Sequence, residues 1–146
     1  MNVVALEYLI FKVVKIDRFF CSLDNFKQQI KMITKIVNFP KLGVDIEYFI
    51  GKSAKENFDI IDAAEPHHIW FHIAGQPSGH VIAAIPVSMD RKDRVYIIKQ
   101  GAVLCKQHSK FTSMKNVEIV YAVVKDLEKG DRLGSVIVQN EKTVTI

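Results

Sequence analysis

Between Gly43 and Gly51 the hydropathy of the chain takes a two-residue period, and no other stretch constrains the fold as tightly. Val44, Ile46, Tyr48 and Ile50 alternate with Asp45, Glu47 and Phe49. Side chains along a strand point to opposite faces, so this run is a strand with one face in a core. Ile36–Phe39 precedes it across a turn through Pro40 and Gly43, which predicts a β-hairpin. Beyond Gly51 the pattern becomes helical. Ser53, with Glu56 three residues on, forms a capping box for a short helix through Ala64, and Pro66 ends it.

Two apolar runs follow, Ile69–Ile73 and His80–Ile85, joined through Gly75, Pro77 and Gly79. A helix is predicted from about Asp90 to Ser109. Val117, Ile119, Tyr121 and Val123 alternate as another strand. Gly130 and Gly134 bracket a turn, and Ser135–Asn140 with Lys142–Ile146 are expected to close the chain as a second hairpin. Upstream, Ser22–Lys35 reads as a helix capped by Asp24, with Phe26, Ile30, Ile33 and Val37 at helical spacing; Val3–Ile16 fits either a strand or a buried helix. With no regular βαβ series, the expected class is α+β: a mostly antiparallel sheet with a few packed helices.

A chain of 146 residues suits one domain, and 49% hydrophobic content rules out a disordered one. The apolar stretch Met1–Phe20 is interrupted by Glu7, Lys12, Lys15, Asp17 and Arg18, too often for a membrane span, and it lacks the basic start of a signal peptide. Cys21 and Cys105 lie far apart outside any CxxC pair, as expected of reduced thiols. These features predict a cytoplasmic protein with no membrane partner.

The charge is uneven. Val87–Lys115 holds seven basic residues (Arg91, Lys92, Arg94, Lys99, Lys106, Lys110 and Lys115) against Asp90 and Asp93, an excess larger than the net +4 of the whole chain. At about 100° per helical residue, Lys92, Lys99, Lys106 and Lys110 fall in one stripe, with Ile97, Ile98, Ala102, Leu104 and Cys105 mainly opposite. Such a stripe is either a solvated helix face or a track for a phosphate backbone, where each lysine releases counterions.

The five histidines, His67, His68, His72, His80 and His108, lack the spacing of a zinc site: there is no HExxH, and Pro66 disfavours a helix carrying His68 and His72. His72 and His80 flank the Gly/Pro/Ser loop beside Trp70, the sole tryptophan. They are either hydrogen-bonded core residues or rings that stack on a base or touch a phosphate. No GxSxG, P-loop or GxGxxG is present, and Ser78-Gly79-His80 has no orienting acid. The expectation is a non-catalytic protein without cofactor or metal.

Several blocks, in order, resemble one family. Tyr48-Phe49-Ile50-Gly51-Lys52-Ser53-Ala54-Lys55-Glu56-Asn57 is similar to a strand leading into a Gly-basic-x-Ala-x-x-Asn helix start. Pro66-His67-His68-Ile69-Trp70-Phe71-His72-Ile73 resembles a Pro-x-Asp-x-Trp-Phe-His-Val hallmark, and Pro77-Ser78-Gly79-His80-Val81-Ile82 a Pro-Gly-Ser-His-Val block. Gly101–Cys105 through Ser109-Lys110, then Val120-Tyr121, Lys125, Gly134–Val138 and Lys142–Val144, follow in the same order. Over residues 36–146 the chain resembles NFACT-R, the RNA-binding domain of ribosome-associated quality-control factors, which also occurs in a short coiled-coil-containing member that binds DNA. His68 stands where that family usually has Asp, Ser78-Gly79 reverses its Gly-Ser order, and Glu128 and Asp131 dilute its basic loop.

The resemblance implies an RNA-binding module, with tRNA or ribosomal RNA and the large ribosomal subunit as partners in translation or ribosome quality control, and DNA as the alternative ligand. Lys52, Lys55, Lys99, Lys106 and Lys110 would touch phosphates, around a centre of Trp70, His72 and His80. Residues 1–35 have no counterpart in that family; they are read as an extension, and a third reading makes this apolar segment a protein-docking element. The family's further domains are not among these residues, so tRNA recruitment for tailing by this chain alone is not expected.

Overall fold

In the computed structural model, residues 32–146 are described. They form a unit, Met32–Ile146, built from β1 (Ile33–Phe39), β2 (Val44–Ile50), α1 (Ala54–Ala63), β3 (Ile69–Ile73), β4 (Val81–Ala83), α2 (Arg91–Gln107), β5 (Glu118–Val123), a 3-10 turn (Val124–Asp126), β6 (Leu127–Lys129), β7 (Val136–Val138) and β8 (Lys142–Thr145). Six strands make one sheet in the order β1-β2-β4-β3-β5-β8, and every pairing in it is antiparallel. The expected α+β class is the one observed. The readings of Val3–Ile16, of Ser22–Lys31 and of an apolar docking segment lie outside the described residues.

The hairpin forms as its alternation requires, with Ile33 opposite Ile50 and Phe39 opposite Val44. Its first strand starts earlier than the sequence suggests. Ile33, Thr34 and Lys35 belong to β1 and not to the end of a helix, because the β-branched residues Ile33, Thr34, Ile36 and Val37 fit a pleated ladder already paired through Ile50.

α2 covers one face of the sheet. Ile46, Tyr48, Ile50, Ile69, Phe71, Ile73, Val81 and Ile119 pack beneath Ile97, Ala102, Leu104 and Cys105. The Tyr48 hydroxyl donates to the Ile97 carbonyl oxygen at 3.0 Å, satisfying both buried groups. Gly101 permits the close approach, since a Cβ there would run into the ring of Phe71. The opposite face carries a smaller core of Ile60, Trp70 and Ile82, against which Leu127, Val136 and Val138 pack. β3 is thus covered on both faces, which is why Ile69–Ile73 reads as a continuous apolar run.

The last strands differ from the expected second hairpin. β7 pairs with β6 across the Gly130–Ser135 loop, and β8 joins the edge of the large sheet beside β5. The chain redirects at Asn140, whose φ of 51° is left-handed and breaks the strand that would have continued from β7. Among the described residues, no helix is long and apolar enough to cross a membrane, and no group of three or more His, Cys, Asp or Glu is placed to hold a metal ion.

Candidate functional site

The side chains that meet around Trp70 are placed by a tight junction of three backbone segments. Ser53 Oγ accepts from Glu56 N–H (3.2 Å), the first half of the expected capping box, while Glu56 Oε2 accepts from Lys52 N–H (2.8 Å), one residue before the N-cap; together these bonds start α1 just after Gly51. This places Asn57 one turn in, where its Oδ1 accepts from His80 N–H at 2.9 Å; the Gly51 N–H donates to the His80 carbonyl at 2.9 Å. A Cβ on Gly79 would collide with the Gly51 carbonyl oxygen, and one on Gly51 would meet Asn57 Oδ1 at 2.5 Å. Both positions therefore have to be glycine for steric reasons, whatever their φ. Ser78 closes the β3–β4 loop by accepting from Ile73 N–H (3.1 Å) and donating to the Gly79 carbonyl (3.3 Å).

Three rings interlock above this junction. Trp70 and His72, two residues apart on β3, lie nearly parallel (5°) with centroids 5.6 Å apart. His80 meets both edge-on, at 5.1 Å from Trp70 and 5.2 Å from His72. Trp70 and His80 are each 2% exposed, so neither offers an open stacking face; His72 is half-buried. Burial pulls the His80 pKa down to about 3, and the neighbouring His72 adds to this. Burial also lowers His72, partly offset by the backbone of Ile73 and Ser78. At neutral pH the cluster is uncharged. Trp70 Nε1 and His80 Nδ1 are buried with no hydrogen-bond partner among the described residues.

These rings line a cleft of about 830 Å³. Its walls are the amino end of α1, the β3–β4 loop, His108–Lys110 and the β6–β7 loop from Arg132 to Val136. Lys52, Lys110 and Arg132 are exposed on it, and Glu141 is its only acidic lining residue among the described residues. His108 is held below its ordinary pKa by burial and then by the positive charges of Lys35 and Lys52. The positive pole at the amino end of α1 adds to the same field.

Of the eight residues singled out in the sequence, Lys52, Trp70, His72, His80 and Lys110 come together here. Lys55 pairs with Asp59 at 2.8 Å on the outer face of α1. Lys99 is exposed along α2, and Lys106 Nζ reaches the Ile146 carbonyl at 3.3 Å; neither lines the cleft. The expected four-lysine stripe is broken at its end. α2 stops at Gln107 because Ser109 Oγ donates to the Lys106 carbonyl (2.7 Å), and Thr112 Oγ1 donates to the Gln107 and Ser109 carbonyls (3.2 and 2.9 Å). Lys110 thereby leaves the helix face and turns toward Lys52. Arg132 and His108 also line the cleft; residue type does not single them out, and the turn between Gly130 and Gly134 is the one sequence signal near Arg132. A second, smaller cleft, lined by Arg91, Lys92, Arg94 and Lys142 with Tyr121 and Asp126, lies at the other end of α2.

His68, the departure from the resembled hallmark, has a structural task. Its Nδ1 accepts from Glu65 N–H at 3.1 Å, bracing the turn between α1 and β3 as a carboxylate there could.

No protein-family profile matches the chain. Among curated proteins it is similar to coiled-coil domain-containing protein 25 of Danio rerio, 34% identical over 86 residues, a match covering 56% of this chain and 40% of the relative. Among solved structures it is similar to the C-terminal of the fibronectin/fibrinogen-binding protein from Streptococcus suis, with a TM-score of 0.66 and 20% identity over 80% of this chain and 45% of that one. The latter likeness shows the fold. The chain spans less than half the length of either protein.

Proposed function

We propose that the chain is a non-catalytic nucleic-acid-binding module of the NFACT-R type, with RNA (tRNA or large-subunit ribosomal RNA) as its ligand and a cytoplasmic role in translation or ribosome-associated quality control. The observation that carries this reading is the cleft: Lys52, Lys110 and Arg132 surround an uncharged floor on which His72 is the accessible ring, a combination suited to phosphates outside and a base inside. The similarity to a coiled-coil domain-containing protein supports the family reading, since the resemblance includes a short coiled-coil-containing member. The short member of the resembled family gives DNA second place.

The test is binding of tRNA, duplex DNA and large ribosomal subunits across a salt series. Lys52→Ala and Lys110→Ala should each lower the salt slope by about one, with weaker binding to all sequences, and Lys99→Ala should lower it less. Unchanged slopes for both cleft variants would remove the cleft from the interface. Competition between tRNA and duplex DNA decides the ligand class.

A further inference from the structure

We infer that the cleft takes a single unpaired nucleotide, with its phosphate at the Lys52–Lys110–Arg132 mouth and its base beside His72, so that RNA is engaged at a single-stranded end or loop and not along a duplex. This rests on the nucleic-acid reading above and specifies which part of the polymer the site holds.

Four observations lead here. First, the cleft's 830 Å³ falls among sites that enclose small ligands, roughly 300–1,000 Å³, and has room for a base, sugar and phosphate. Second, its charge is graded. The cations are exposed, whereas the floor is made of neutral rings, as a nucleotide's own polarity requires. Third, Trp70 and His80, both lining the cleft and both 2% exposed, leave one indole donor and one imidazole nitrogen unpartnered among the described residues. Both atoms are covered in this structure; a shift of the rings over them would let a base edge, which carries donors and acceptors side by side, partner both, whereas a phosphate offers acceptors alone. Fourth, His72 is the half-buried outer member of a parallel pair with Trp70, so a base added to it would extend an existing stack. A duplex keeps its base faces stacked inward along its length and presents backbone, 2′-hydroxyls and groove edges to such a mouth, none of which can stack on His72.

Trp70 is the only tryptophan of the chain, so its emission reports occupancy of the floor. The experiment titrates the full chain with a 5′-phosphorylated trinucleotide, a blunt-ended RNA duplex and the same duplex carrying a single-stranded overhang. The trinucleotide and the overhang duplex should change Trp70 emission saturably; the blunt duplex should not. His72→Ala should weaken trinucleotide binding about tenfold, the order of one lost stack, and weaken it more than it weakens blunt-duplex binding. His72→Phe, which keeps a flat ring, should restore most of the affinity. The inference is overturned if the blunt duplex changes emission as the trinucleotide does, if His72→Ala weakens both ligands equally, or if tRNA binds while neither single-stranded probe perturbs Trp70. In those cases the nucleic-acid reading survives. Failure of every RNA to bind removes both. If the alanine variant does not fold, the emission comparison on the unaltered chain still decides.

Discussion

Acidifying the protein should cost it stability through His80, and the size of the loss follows from where that ring sits. His80 is 2% exposed, its backbone N–H is held by Asn57, and its pKa lies at about 3, set first by burial and then by His72. In the unfolded chain the imidazole returns to its ordinary 6.5. The folded value is the depressed one, so below pH 6.5 the unfolded state binds a proton that the native state refuses. The stabilisation is complete above pH 6.5 and is lost as the pH falls toward 3. Each pH unit in that window removes about 1.4 kcal/mol, so about 2 kcal/mol should be gone at pH 5, a substantial part of the 5–15 kcal/mol typical of a domain. His68, His72 and His108 are lowered too and act in the same direction. His80 is isolated by comparing urea unfolding of the unaltered chain and His80→Gln at pH 8, 6.5 and 5, read by Trp70 fluorescence. The variant should be less stable at pH 8 but should lose about 2 kcal/mol less than the unaltered chain between pH 8 and pH 5. Parallel pH dependence in the two proteins would refute the assignment, as would stability that rises on acidification.

Gly101→Ala should destabilise by roughly 1–3 kcal/mol, because the new methyl meets the fully buried Phe71 ring and must lift α2 from the sheet; an unchanged Tm would show that the helix sits farther away than described. Gly79→Ala should cost at least as much, since its methyl meets backbone and not a side chain that can rotate, and it should also abolish ligand-induced changes in Trp70 emission. His68→Ala should cost about 1 kcal/mol by leaving Glu65 N–H without its acceptor, while His68→Asp should recover most of that in thermal melts.

The alternation of Val44–Ile50, the capping box at Ser53 and Glu56 and the long run from Asp90 were local signals, and local sterics and hydrogen bonding were enough to place β2, α1 and α2. Where neighbours in sequence and neighbours in space compete, the sequence alone chose wrongly. The hydropathy of Ser135–Ile146 suits a hairpin, but β7 finds its partner in β6 and β8 finds its partner in β5. Helical spacing carried Ile33 into a predicted helix, while its ladder with Ile50 holds it in a strand. The site divides in the same way. Trp70, His72 and His80 could be picked out by residue type beside a Gly/Pro loop. Tertiary structure alone decided that Trp70 and His80 are closed off while His72 is not, and that Lys110 joins Lys52 and Arg132 instead of Lys99 and Lys106. The reason is physical: periodicity reports which face of an element is apolar, whereas the meeting of charges from the end of α2, the start of α1 and the β6–β7 loop depends on how three separate backbone segments pack.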